Sequence, residues 1–266
     1  MQITVDQILT YLECPMKYKM KYVYGIKEEK DLKIEFRKAL HQITFFYYTS
    51  LLNGNMPTMK IMKNKWSHIW SAAFDEVGKV EDFLLKPRRY SGKGMAIRSE
   101  AKEAKFNRDG FEMIHNFYVN HTEKKFVPIL INQDYRFSFD DITVIGNFEL
   151  IREILDIESG SRFIDIVDIK TSSSTMGSFL LENDLRSTMA SHAFREVFKG
   201  KEDRICFHYM KNGEETFTRR SEKDFNRMKA IVKDVVKCIQ EEVFYPRQTF
   251  LCSSCPFEKE CNSLKF

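Results

Sequence analysis

No stretch of this 266-residue chain is apolar for long enough to cross a bilayer. The opening residues, Met1-Gln2-Ile3-Thr4-Val5-Asp6, lack the basic and apolar regions of a secretory leader. No internal repeat and no low-complexity linker divides the sequence, so repeat arrays are excluded and one large domain is expected. Charge of one sign is scarce as well: the net charge is +4, which permits a nucleic-acid partner without demanding one. A cytoplasmic protein without membrane association is expected. In that reducing setting its six cysteines read as metal ligands or buried thiols, not disulfides. The balance of 43% hydrophobic and 30% charged residues is that of a globular chain with a sizeable core.

The cysteines divide by context. Cys206 and Cys238 fall inside periodic apolar segments and read as small buried hydrophobes. The other four stand at the chain's two ends. Cys14 lies in Leu12-Glu13-Cys14-Pro15, and Cys252, Cys255 and Cys261 form Cys-x2-Cys-Pro-x4-Cys. Four thiolates suit a tetrahedral zinc or an iron–sulfur cluster, and the spacing leaves both open. One ligand must come from the opposite terminus, so residues 246–266 are expected to pack as a tail on the N-terminal helix.

Apolar periodicity predicts helices over residues 5–25, 31–52, 60–83 and 96–120. Alternation then predicts strands over 129–139, 143–151 and 162–171, the last two joined as a hairpin through 156–161. A helix over 185–198, strands over 204–210 and 214–218, and a helix over 222–242 complete the order. The expected architecture is one α/β core, a mixed central sheet flanked by helices, with a helical insertion over residues 55–121.

The strand Ile164-Asp165-Ile166-Val167-Asp168-Ile169-Lys170-Thr171 carries the second signal. Alternation puts Asp168 and Lys170 on one face and Asp165 on the other, at a rim. An acid and a lysine on an otherwise apolar strand are costly to bury without a purpose. Glu149, on the preceding strand, can stand across from Asp168. Two facing carboxylates repel unless a cation lies between them, and hard oxygen ligands suit Mg²⁺ or Mn²⁺. Lys170 beside them can orient or deprotonate an attacking water and steady a phosphate. His41, on a helix that must pack on the sheet, is a further ligand candidate and tilts the preference toward Mn²⁺. The remaining histidines, His68, His115, His121, His192 and His208, show no ligand spacing.

With these residues assembled, the chain resembles the RecB-like branch of the PD-(D/E)XK nucleases. It is similar to the iron–sulfur exonucleases typified by the CRISPR-associated RecB-like family and the AddB nuclease domain. The resemblance rests on Tyr11-Leu12-Glu13-Cys14-Pro15-Met16-Lys17-Tyr18, His41, Gly146-Asn147-Phe148-Glu149, Asp168-Ile169-Lys170-Thr171, and Pro246 with the three closing cysteines. It implies a restriction-endonuclease-like fold over residues 1–266 and a structural [4Fe–4S] cluster on Cys14, Cys252, Cys255 and Cys261. It also implies a divalent metal on His41, Glu149 and Asp168, with Lys170 acting on the water and the scissile phosphate. The expected activity is that of a DNA exonuclease on single strands or ends. Besides DNA, proteins of recombination or CRISPR adaptation are the partners it implies.

The chain departs from the family's pattern in three places. Glu149 replaces an aspartate, the usual glycine before the histidine is absent, and Arg186 and Ala190 stand where the family has Gln-x-x-x-Tyr. Arg186 is then placed to contact a phosphate. In the basic segment after the third helix, Arg88, Arg89, Tyr90 and Lys93 combine cations, an aromatic ring and flanking glycines, a pattern for gripping a single strand. The competing reading, favoured by the missing Gln-x-x-x-Tyr, is a DNA-binding or adaptor protein that keeps the scaffold but no longer cuts.

Overall fold

The structure, a computed structural model, describes residues 1–28, 31–84, 93–122, 126–155, 160–171 and 175–264; of residues 76–102 only the helical backbone is described. Strand β1 (Gln2–Thr4) passes directly into helix α1 (Val5–Glu13). Thr4 caps that helix: its hydroxyl accepts from the Gln7 N–H, and the Gln7 side chain accepts from the Thr4 N–H, a reciprocal capping box. The helix predicted over residues 5–25 is broken at Cys14, whose backbone is extended. Pro15 follows, and the residue before a proline is driven out of helical geometry. Pro15 then opens α2 (Pro15–Tyr18), which runs on as a π-helical turn over Lys19–Val23.

Three long helices follow: α3 (Leu32–Leu52), α4 (Met59–Leu84) and α5 (Lys93–Thr122). The remainder is β2 (Phe126–Phe139), β3 (Ile142–Leu155), β4 (Arg162–Lys170), α6 (Ser178–Glu182), α7 (Leu185–Phe198), β5 (Arg204–Tyr209), β6 (Glu215–Thr218), α8 (Glu222–Gln240), a 3₁₀ turn over Phe250–Ser254 and α9 (Glu258–Ser263). The six strands form one mixed sheet. One edge of β3 is taken along its length by antiparallel β2. The other edge is shared: β1 lies parallel to Thr143–Ile145, and β4 lies antiparallel to Leu150–Leu155. Between them, residues 146–149 of β3 have no ladder partner on that edge. β4 continues past this window because β5 holds it in parallel register through Lys170↔Tyr209.

Helices cover both faces. Ile8 of α1, Met189 and Ala193 of α7, and Met228 and Val232 of α8 pack against Val144, Ile151 and Ile166. Leu40 and Ile43 of α3, Trp66 and Trp70 of α4, and Ile114 and Phe117 of α5 pack against Leu150, Val167 and Ile169. Trp66 and Trp70 stack with their rings 3° from parallel. Gly110 makes room for them, since a Cβ there would stand 2.1 Å from the Trp66 ring. Cys206 is fully buried and Cys238 half-buried, as the sequence predicts.

Two expectations change. β1 was not foreseen, because three residues are too short to show alternation. Asp165 is not at a rim: it and Arg152 of β3 have no exposed side-chain surface. Arg152 donates to Asp165 at 3.1 Å and to Glu215 at 3.0 Å, while Arg204 donates to Asp165 at 2.9 Å. Two acids and two arginines therefore neutralise one another across four strands. Removing one partner strands a buried charge, so Asp165→Ala is expected to destabilise the fold by about 3–5 kcal/mol in chemical denaturation; a loss below about 1 kcal/mol would mean the network is dispensable.

Candidate functional site

The window in β3 is where the candidate residues meet. The last β3–β4 pair is Leu150↔Val167; continued one step, that register sets Glu149 against Asp168. The two strands have parted there, and the Glu149 carboxylate fills the gap by accepting the Ile169 N–H at 2.7 Å. Its other oxygen stands 3.7 Å from His41 Nδ1, carried in by α3. Lys170, two residues along β4 from Asp168, donates to it at 2.8 Å and lies over the Phe207 ring of β5 at 5.1 Å. Asp168, Glu149 and Arg186 line one cleft of about 90 Å³ together with Asn147, Ser187 and Ala190. The structure thus brings together Glu149, Asp168, Lys170, His41 and Arg186. Arg88, Arg89 and Tyr90 lie outside the described residues, and Lys93 is described only as the first residue of α5.

The electrostatics follow from that crowding. Burial, and then the Asp168 carboxylate, push Glu149 up to about 8, against the Ile169 N–H, which favours the anion. Burial opposes charge on Lys170, yet Asp168 outweighs it and the ammonium is held above its ordinary value. Burial lowers His41, so its imidazole is neutral near pH 7 and free to ligate. Glu149 and Asp168 line the cleft and a neutral imidazole stands beside Glu149; these are donor types that a divalent cation with borderline preferences accepts.

Tyr135 escaped the sequence reading. It comes from β2, pairs with Gly146 and is 4% exposed. A Cβ at Gly146 would stand 2.3 Å from the phenol, so the glycine of Gly146-Asn147-Phe148-Glu149 is required by this ring. The register Tyr135↔Gly146 was the signal, visible only once the strands were paired.

The four terminal cysteines also converge. Cys14, Cys252, Cys255 and Cys261 line one pocket of about 530 Å³, floored by Met16, Met20 and Phe257. Backbone N–H groups of Arg247 and Thr249 donate to the sulfurs of Cys14 and Cys252, each at 3.4 Å. Such bonds favour the thiolate form that metals require. Tyr11 donates to the Val243 carbonyl, and Met16 N–H to the Tyr245 carbonyl, tying the tail to the N-terminal helices.

Among the described residues, the donor atoms that gather within 4.8 Å of one another belong to His121, His208 and Glu215. That trio could hold a metal, and the spacing of its residues in the sequence gave no hint of it. It lies in the core, however, with Tyr48 hydrogen-bonded to His121 and Arg152 to Glu215. The adjacent guanidinium disfavours a second cation there.

The sequence profile of the PD-(D/E)XK nuclease superfamily matches residues 2–262. The chain belongs to the PD-(D/E)XK nuclease superfamily. Its mixed sheet flanked by helices is consistent with the restriction-endonuclease-like fold of that superfamily, and membership supports a metal-dependent nuclease. No curated protein matches the chain. Among solved structures it is similar to one titled "Crystal structure of SSO0001", at 11% identity and a TM-score of 0.41, over 99% of this chain and 87% of that one. No helix among the described residues is long and apolar enough to cross a membrane.

The raised Glu149 has a measurable consequence for this superfamily member. Between the ordinary carboxylate range and pH 8, the metal-free folded protein retains a proton that the unfolded chain releases. Its stability therefore falls as pH rises through that window. A divalent ion needs the deprotonated acid and removes the repulsion, so Mn²⁺ is expected to raise the melting temperature more at pH 8 than at pH 6. Differential scanning fluorimetry reads this. Glu149→Gln should level the two shifts, and equal shifts in the wild type would contradict the assignment.

Proposed function

We propose that the chain is a DNA exonuclease that hydrolyses phosphodiester bonds at single-stranded DNA or DNA ends. The observation that carries this is the meeting of Glu149, Asp168, His41 and Lys170 at the fork between β3 and β4. Glu149, Asp168 and His41 would hold Mn²⁺ or Mg²⁺, which supplies the Lewis acidity that activates water and neutralises phosphate charge. Lys170 is held as an ammonium, so it donates and does not abstract a proton. Its part is to orient the attacking water and stabilise the charge that builds on the phosphate. Helices α4 and α5 belong to the helical insertion over residues 55–121, whose Arg88, Arg89, Tyr90 and Lys93 would grip the strand.

The cysteine pocket is proposed to hold a structural [4Fe–4S] cluster. Four converging thiols could serve zinc or a cluster. A wide pocket whose thiols accept backbone N–H bonds fits a larger, thiolate-bound core. The cluster would fasten residues 246–266 to the N-terminal helices and take no part in cleavage.

End-labelled single- and double-stranded DNA incubated with Mn²⁺ or Mg²⁺ tests the activity. The wild type is expected to shorten single strands progressively from an end. Lys170→Ala is expected to lower the rate by about 10³-fold or more while DNA binding survives. A variant that cuts like the wild type would refute the site. For the cluster, anaerobically purified protein should be brown and absorb broadly near ~400 nm. Cys255→Ala should lose colour and folded yield together. A colourless, fully stable wild type would remove the cluster.

A further inference from the structure

Arg186, which the sequence places to contact a phosphate, lines the cleft beside Glu149 and Asp168. It stands in the first turn of α7, whose N-cap Asp184 already accepts from the Ser187 N–H and hydroxyl. Its guanidinium reaches across to α1, and Nη2 donates to Asp6 Oδ1 at 2.5 Å. Both partners are open, Arg186 at 46% and Asp6 at 69% of side-chain surface. Asp6 is delivered there by the strand that borders the window: β1 ends at Thr4↔Ile145, and the Thr4 cap starts α1. Glu149 and Asp168 lie close enough to favour the arginine's charge. The buried Tyr135, seated on Gly146, lies within electrostatic reach of both Arg186 and Asp6.

A guanidinium presents the same fork of donors to a carboxylate and to a phosphate diester. An ion pair as exposed as Arg186–Asp6 contributes little net stability, so a better-placed anion can take it over. Position on the first turn of a 14-residue helix adds the favourable end of the helix dipole for such an anion. Relying on the nuclease reading above, we propose that Arg186 anchors a backbone phosphate of the bound polynucleotide and that Asp6 is its resting partner. Substrate displaces the Asp6 carboxylate; without substrate, Asp6 keeps the guanidinium aimed across the mouth of the cleft. Asp6 is thus a built-in competitor of the strand.

A purely structural tie between α1 and α7 makes a different forecast. If the pair only braces the two helices, losing either member acts in the same direction. If Asp6 competes with phosphate, the two losses act in opposite directions. The readout is fluorescence anisotropy of a labelled single-stranded oligonucleotide on the full chain, with Ca²⁺ replacing Mg²⁺ or Mn²⁺ so that the strand stays intact. Arg186→Ala is expected to weaken binding about tenfold or more, and to flatten the dependence of log K on log salt by about 0.7. Asp6→Asn is expected to tighten binding by about threefold, since it removes the competing charge and keeps the side chain's shape. Arg186→Lys, which keeps charge but not the fork, should fall between wild type and alanine and guards against misfolding as the cause. The proposal is overturned if Arg186→Ala binds within twofold of wild type, or if Asp6→Asn leaves binding unchanged or weakens it. Either result in a wild type that cuts DNA removes only the anchor. A wild type that neither binds nor cuts any oligonucleotide removes the nuclease reading with it.

Discussion

The site depends on two strands that cannot stay together. β4 is claimed by β5 in parallel register to Tyr209, while β3 is claimed by β2 along its other edge. Past Leu150 and Val167 the two diverge, and their backbone bonding groups must be satisfied another way. Glu149 does this by accepting the Ile169 N–H, which fixes its carboxylate beside Asp168. The burial and the Asp168 repulsion that raise Glu149 thus follow from sheet topology, and they would prepare the fork for a cation.

The N-terminal segment completes the fork from the other side. β1 occupies only three residues of the β3 edge, and its short length leaves the window open while its helix brings Asp6 to face Arg186. The same segment carries Cys14 to the cysteine pocket, where the extended conformation imposed before Pro15 turns it out of the helix. A metal clasp at the cysteines would therefore also secure the strand that frames the cleft. On the opposite face, the stacked tryptophans of α4 pack with α3, which bears His41, against Leu150, Val167 and Ile169.

Much of this was legible in the residues alone. The long helices and the antiparallel β3–β4 pairing follow from apolar periodicity, and Asp168 and Lys170 announce themselves by their cost on an apolar strand. The place of Glu149 opposite Asp168 depends on the antiparallel register of β3 and β4. What the sequence withheld depends on partners distant along the chain. Asp165 looked like a rim residue because alternation gives its face but not the arginines waiting there. His121, His208 and Glu215 meet only after α5 packs on β5. Tyr135, Asp6 and the reason for Gly146 emerge only when β1 and β2 take their places on β3.

The central claim is that one divalent ion sits in the fork. Anomalous diffraction from crystals soaked in Mn²⁺ tests it most directly. The account predicts a single strong peak bounded by Glu149, Asp168 and His41, with ligand distances of about 2.0–2.3 Å. A peak among His121, His208 and Glu215 with none in the fork, or side chains that turn away from one another when the ion is supplied, would contradict it.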